Sequence, residues 1–129
     1  MNTPSNLKYT KTHEWIKVEN DIAIEGITDF AQSELSDIAF VELPEKGRIV
    51  KQGDSIGTIE AVKAVSDLIA AMSGEIIEVN EILKTSPDKI NLNTFDEGWI
   101  VKIKISDESE IKNLMNADEY TKYCETNHH

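Results

Sequence analysis

Residues 99–106 read Trp-Ile-Val-Lys-Ile-Lys-Ile-Ser, and this run constrains the fold more than any other in the chain. Side chains on a strand alternate between faces, so Val101, Ile103 and Ile105 point one way and Lys102 and Lys104 the other. A helix would mix these two sets. The same period recurs near the other end. Trp15, Lys17 and Glu19 interleave with Ile16 and Val18, and Ile22 and Ile24 fall on one face. The polar corner Glu19-Asn20-Asp21 between those runs predicts a hairpin. Residues 38–43 predict another strand, with Pro44 and Gly47 punctuating the chain after it. A chain patterned this way is mainly β.

Helical signals are few. Thr28 is placed to N-cap, Asp29 suits a first turn, and Phe30, Ala31 and Leu35 share a stripe, which predicts one short internal helix. After the last strand, Ser106 is the expected cap of a helix beginning at Asp107, and Asn116 the expected cap of a final one. Residues 126–129 are expected to fray. His128 and His129 read as an affinity-tag remnant and are given no metal role.

An internal echo organises the middle of the chain. Residues 47–56, Gly-Arg-Ile-Val-Lys-Gln-Gly-Asp-Ser-Ile, resemble residues 74–83, Gly-Glu-Ile-Ile-Glu-Val-Asn-Glu-Ile-Leu. Gly47 and Gly74 are each expected to open a strand, and Gly53 and Asn80 to occupy turns with positive φ. Two copies are too few for a solenoid. They suggest a pseudo-twofold sandwich of two similar sheets with few exposed edges. Between the copies lies Gly57–Ala70, two apolar runs with Lys63 at their junction. A hairpin there would present that lysine.

Composition narrows the function. The 129 residues suit one domain, with a hairpin core over about 20–105 and C-terminal helices over about 107–125. The net charge of −11, from 24 acidic and 13 basic side chains, argues against nucleic acid and against anionic membranes, and favours partners with basic docking faces. Cys124 is the sole cysteine, which excludes an internal disulfide and fits a reducing compartment. No apolar run approaches membrane-spanning length, and the first ten residues show neither a signal-peptide core nor an Arg-rich amphipathic pattern. The expected setting is a bacterial cytoplasm, or the mitochondrial matrix if a transit peptide was removed. The phosphate-binding, dinucleotide-binding and nucleophile-elbow glycine motifs are missing, and the three His and one Cys lack metal-ligand spacing.

Residues 53–80 resemble the attachment region of lipoyl-bearing domains, and the rest of the chain resembles the H-protein family of the glycine cleavage system. The likeness runs through Leu-Lys-Tyr-Thr-Lys-Thr-His-Glu-Trp at 7–15, Gly-Ile-Thr-Asp-Phe-Ala-Gln at 26–32, Glu-Ala-Val-Lys-Ala at 60–64, and Asp-Glu-Gly-Trp-Ile at 96–100. A lone E-x-x-K-A would be weak; ordered blocks over nearly the whole chain are not. Two positions depart from the family pattern: Ala61 stands where Ser is usual, and Ala71 where Pro is usual.

The resemblance implies a lipoyl-domain-like barrel-sandwich hybrid that acts as a carrier rather than an enzyme. It implies lipoate joined to Lys63 by an amide, with Glu60 helping the lipoylating enzyme recognise the hairpin. Val62 and Ala64 flank the lysine with small neutral side chains. The cargo would be the aminomethyl group of glycine, received from a pyridoxal-phosphate glycine decarboxylase and presented to a tetrahydrofolate-dependent aminomethyltransferase. Dihydrolipoyl dehydrogenase would then reoxidise the arm. Glu14, with Thr12 and Asp67, matches the family's cleft for the cationic cargo. Trp15 reads as core and His13 as structural. A monomer suits such a shuttle. Other readings are a relay that donates lipoyl groups to other enzymes, a biotinyl carrier, though those usually place Met on both sides of the lysine, and a small enzyme built around Glu14 and His13.

Overall fold

The computed structural model describes residues 1–127. Among the described residues, nine strands form two antiparallel sheets. The larger contains β1 (Lys8–Tyr9), β2 (Glu14–Glu19), β3 (Ile22–Ile27), β5 (Ile49–Val50), β8 (Gly74–Val79) and β9 (Val101–Ile105), in the order β1-β2-β3-β9-β8-β5. The smaller contains β4 (Ile38–Glu42), β6 (Ser55–Ala61) and β7 (Val65–Ile69), in the order β4-β6-β7. The helices are α1 (Asp29–Leu35), α2 (Lys89–Leu92) and α3 (Ala117–Asn127). The expected mainly-β sandwich of two antiparallel sheets is present. The sheets are unequal, six strands against three, and neither strand order closes into a barrel.

The main core lies between the sheets, where Ile59 and Leu68 from one meet Ile76, Val101 and Ile103 from the other. This is the face predicted for β9, whose Lys102 and Lys104 point away. Burying such aliphatic side chains stabilises the fold by roughly 1.5–3 kcal/mol each. A second cluster, Leu7, Tyr9, Trp15, Tyr120 and Cys124, sits beneath α3, with the Tyr9 and Tyr120 rings stacked 4.7 Å apart. The central strands are thus covered on both sides. That explains β3, where Ile22 and Ile24 are only half-buried and Ala23, Glu25 and Ile27 are fully buried.

The predicted hairpin turns at Asn20, which takes a positive φ of 57°. Thr28 caps α1 as expected, its Oγ1 accepting from the Ala31 N–H at 3.2 Å. Asn116 caps α3 in a reciprocal box: its Oδ1 accepts from the Glu119 N–H, and its own N–H donates to Glu119 Oε1.

Three expectations are corrected. The cap after β9 is Asp107, not Ser106; its carboxylate accepts from the Ser109 N–H, and the segment Glu108–Asn113 winds as a 3-10 helix. Asn80 has φ −83°, so of the matched pair Gly53 and Asn80 it is Gly53, at +97°, that is left-handed. Asn80 instead clamps a loop, its Nδ2 donating to the carbonyls of Glu97 and Trp99. Residues 126 and 127 continue α3 rather than fray, while His128 and His129 lie outside the described residues. The echoing segments do meet, because β5 pairs with β8 through Ile49↔Glu75 and Val50↔Gly74.

Candidate functional site

Strands β6 and β7 form the expected hairpin, and Val62, Lys63 and Ala64 form its tip. The Ala61 N–H donates to the Ala64 carbonyl at 2.8 Å, closing the turn across the lysine. The Val62 N–H donates to the Asp37 carbonyl at 3.3 Å, tying the tip to the start of β4. At the base, a Cβ on Gly57 would come within 2.5 Å of the Glu42 carbonyl oxygen, so glycine is what lets β4 lie this close to β6. The tip is therefore held by backbone bonds and needs no positive φ. Lys63 is exposed and makes no ion pair among the described residues; Val62 and Val65 beside it are 86% and 64% exposed. Glu60 is also exposed, near the end of β6 and three residues before Lys63, opposite Val65.

Along β7, Leu68 and Ala70 point inward, so Val65, Asp67 and Ile69 form the outward row leading away from the tip. From Lys63 to Ile69 this row covers roughly 20 Å. Asp67 lies exposed midway, paired in register with Thr58. At Ile69 the row reaches a cleft of about 310 Å³ whose lining includes Thr10, Thr12, Gln52, Ile69, Ala71 and Asn113. That volume is at the lower end of small-molecule pockets.

Glu14 lies under this cleft, 1% exposed. It opens β2 after a tight loop in which Thr10 N–H donates to the Glu14 carbonyl and His13 takes φ 71°. One carboxylate oxygen accepts from the hydroxyls of Thr10, at 2.6 Å, and Thr12, at 2.5 Å. The other accepts a long bond, 3.4 Å, from the Ile69 N–H. Burial dominates its titration and pushes its pKa up to about 7, against the opposing pull of those three donors. Thr12 thus bonds Glu14, whereas Asp67 lies on the outward row of β7 and is not among the groups that hold the carboxylate.

His13 is structural. Its ring stacks on Phe30 at 4.7 Å and its Nδ1 lies 2.7 Å from the Tyr120 hydroxyl. That hydroxyl is also 2.6 Å from Thr28 Oγ1, so one phenol joins α3, the Glu14 loop and the N-terminus of α1. Trp15 is core, its Nε1 donating to the Thr94 carbonyl at 3.0 Å, with its indole lying over Gly26, where a Cβ would approach to 2.6 Å.

Four residues were not singled out in the sequence: Thr10, whose hydroxyl donates to Glu14, and Gln52, Asn113 and Glu25. Gln52 and Asn113 line the cleft, Asn113 donating to Gln52 and Gln52 to the Ala71 carbonyl. Glu25 is fully buried, and its Oε1 accepts from the Ala71 N–H at 2.9 Å. Ala71 is one of the two departures from the family pattern, and proline there would have no N–H to give. The available signal was parity: Glu25 has the phase of Ala23 and Ile27, and β9 pairs Ala23 with inward-facing Ile103.

The two-sheet β domain thus raises one accessible lysine, Lys63, on a closed hairpin, with a buried carboxylate, Glu14, beneath the cleft at the far end of β7. Comparison with known proteins makes this specific. The family model described as "Glycine cleavage H-protein" matches residues 7–127. Glycine cleavage system H proteins from two Staphylococcus epidermidis strains are each 50% identical over 121 residues, covering 94% of this chain and 96% of theirs. The crystal structure of a glycine cleavage system H protein from Mycobacterium marinum superposes with a TM-score of 0.84 at 36% identity, covering 96% of this chain and 98% of that one. The chain belongs to the glycine cleavage H-protein family.

Proposed function

We propose that this protein is the lipoyl-carrying shuttle of a bacterial glycine cleavage system, a co-substrate rather than a catalyst, working in the cytoplasm. Family membership and the exposed, backbone-braced Lys63 support this reading together. Lipoate, bound as an amide on Lys63, would supply a dithiolane that opens to two thiols and carries a group on one sulfur.

The chain's own residues supply position and shelter. Val62 and Ala64 leave the amine open, and the short turn fixes where it stands. Glu60 offers the lipoylating enzyme an exposed carboxylate near the tip. The cargo is the aminomethyl group, cationic as an ammonium. Glu14 pairs with that ammonium in a partly water-excluded cleft, and Thr10 and Thr12 orient the carboxylate. Asp67, on the outward row of β7, attracts the cation along the way. The partners are the pyridoxal-phosphate glycine decarboxylase that loads the shuttle, the tetrahydrofolate-dependent aminomethyltransferase that unloads it, and dihydrolipoyl dehydrogenase, which resets it.

Loading tests the reading. Lipoylated protein incubated with glycine decarboxylase and methylene-labelled glycine should take up label, and aminomethyltransferase with tetrahydrofolate should remove it. A fully lipoylated protein that takes up no label would contradict the proposal. The Lys63→Arg variant should remain unlabelled.

A further inference from the structure

The cleft sits over two carboxyl groups, and the reading above uses only one. In the β2–β3 register Glu14 faces Ile27 and Ile16 faces Glu25, which makes Glu14 and Glu25 diagonal neighbours on one face of the sheet. Diagonal positions lie roughly 7–8 Å apart at Cα, within reach of long side chains. Both acids turn toward the same segment: Glu14 accepts from the N–H of Ile69 and Glu25 from that of Ala71, alternate donors on a stretch that lines the cleft.

No ion pair involves either acid among the described residues. Lys11 lines the cleft without pairing to either, and Tyr120, whose phenol is raised chiefly by burial and slightly by the charge of Glu14, cannot neutralise an anion. Glu25 Oε2 has no hydrogen-bond partner among the described residues and is closed to solvent. A bare anionic oxygen there would be costly, whereas a protonated one is tolerable. Burial first, and then the charge of Glu14, raise Glu25 well above the ordinary carboxylate range.

We propose that Glu25 is a positioning residue for Glu14: a neutral acid beneath the cleft that holds the site at one negative charge and, on losing its proton, doubles that charge. A site so built meets a monocationic ammonium with a single matched charge once Glu14 has ionised, above about pH 7, and grips it harder as the pH rises further. The idea rests on the carrier reading for its purpose but not for its test, because the two carboxyls titrate whether or not Lys63 is modified.

The test is a carboxyl-carbon NMR titration of the unlipoylated protein over roughly pH 5 to 10. In the wild type, the Glu14 signal should move in two steps, the second coinciding with the main step of Glu25, as coupled acids do. In Glu25→Gln the second step should vanish. In Glu14→Gln the Glu25 step should fall by roughly one to two pH units, the repulsion expected at diagonal spacing. If Glu25→Gln does not fold, the wild-type and Glu14→Gln titrations decide the matter. A single-step Glu14 titration in the wild type, or a Glu25 step unmoved by Glu14→Gln, overturns the proposal. Loss of label uptake by lipoylated protein would count against the carrier reading alone.

Discussion

Glu14 is a carboxylate placed where charge is expensive and useful. Its pKa moves from 4.5 to about 7 on folding, chiefly because burial removes it from water. The folded chain therefore holds the extra proton between those values. The stabilising contribution is fully present below about pH 4.5 and is lost as the pH rises through about 7. By urea unfolding, wild type relative to Glu14→Gln should lose on the order of 3 kcal/mol between about pH 4.5 and pH 8. A gap that does not change with pH would show that Glu14 is not buried in this way. The same charge should hold cargo. Glu14→Gln should leave lipoylation intact and shorten the lifetime of the loaded form by roughly tenfold at about pH 8, the worth of one charge-assisted hydrogen bond. That penalty should shrink as the pH falls and the wild-type carboxylate is itself protonated. Equal lifetimes at pH 8 would remove the role from Glu14.

The elements that hold these residues act through a few contacts. Tyr120 on α3 reaches both His13 and Thr28, so Tyr120→Phe should cost roughly 1–3 kcal/mol by denaturant unfolding and loosen the Glu14 loop, seen as faster amide exchange over residues 10–14. Unchanged exchange would mean that α3 does not brace that loop. Gly26→Ala should destabilise by about 1–3 kcal/mol, because the Trp15 indole occupies the space a Cβ needs. Period-two runs and caps made most of this legible. The alternation of 101–105 located β9 and its buried face, and Thr28 and Asn116 marked true helix starts. What the chain hid was set by tertiary cover. With α3 closing the second side of the sheet, hydrophobicity alone no longer reported which face of β3 was innermost, and Glu25 was not singled out. Asn80 was misjudged because its side-chain amide, not its backbone, makes the turn. Asp107 outcompeted Ser106 as a cap because its carboxylate lies one residue nearer the Ser109 N–H it binds.

The whole molecule joins a fixed lysine to a distant cleft through one strand. The hairpin tip is braced by two backbone bonds, and the outward row of β7 runs from it to Ile69, whose N–H donates to Glu14 on β2 of the other sheet. Lys63 and Glu14 were legible because whole blocks of sequence around them resemble a known family, whereas Gln52, Asn113 and Glu25 come together only through pairing of distant strands. The central claim is that Lys63 is the attachment point through which this protein works. Peptide-resolved mass spectrometry after incubation with lipoate, ATP and a lipoylating enzyme tests it most directly. The predicted result is one lipoyl increment per chain, located on Lys63 and absent in Lys63→Arg. An unmodified Lys63, under conditions that fully modify a known acceptor, would contradict it.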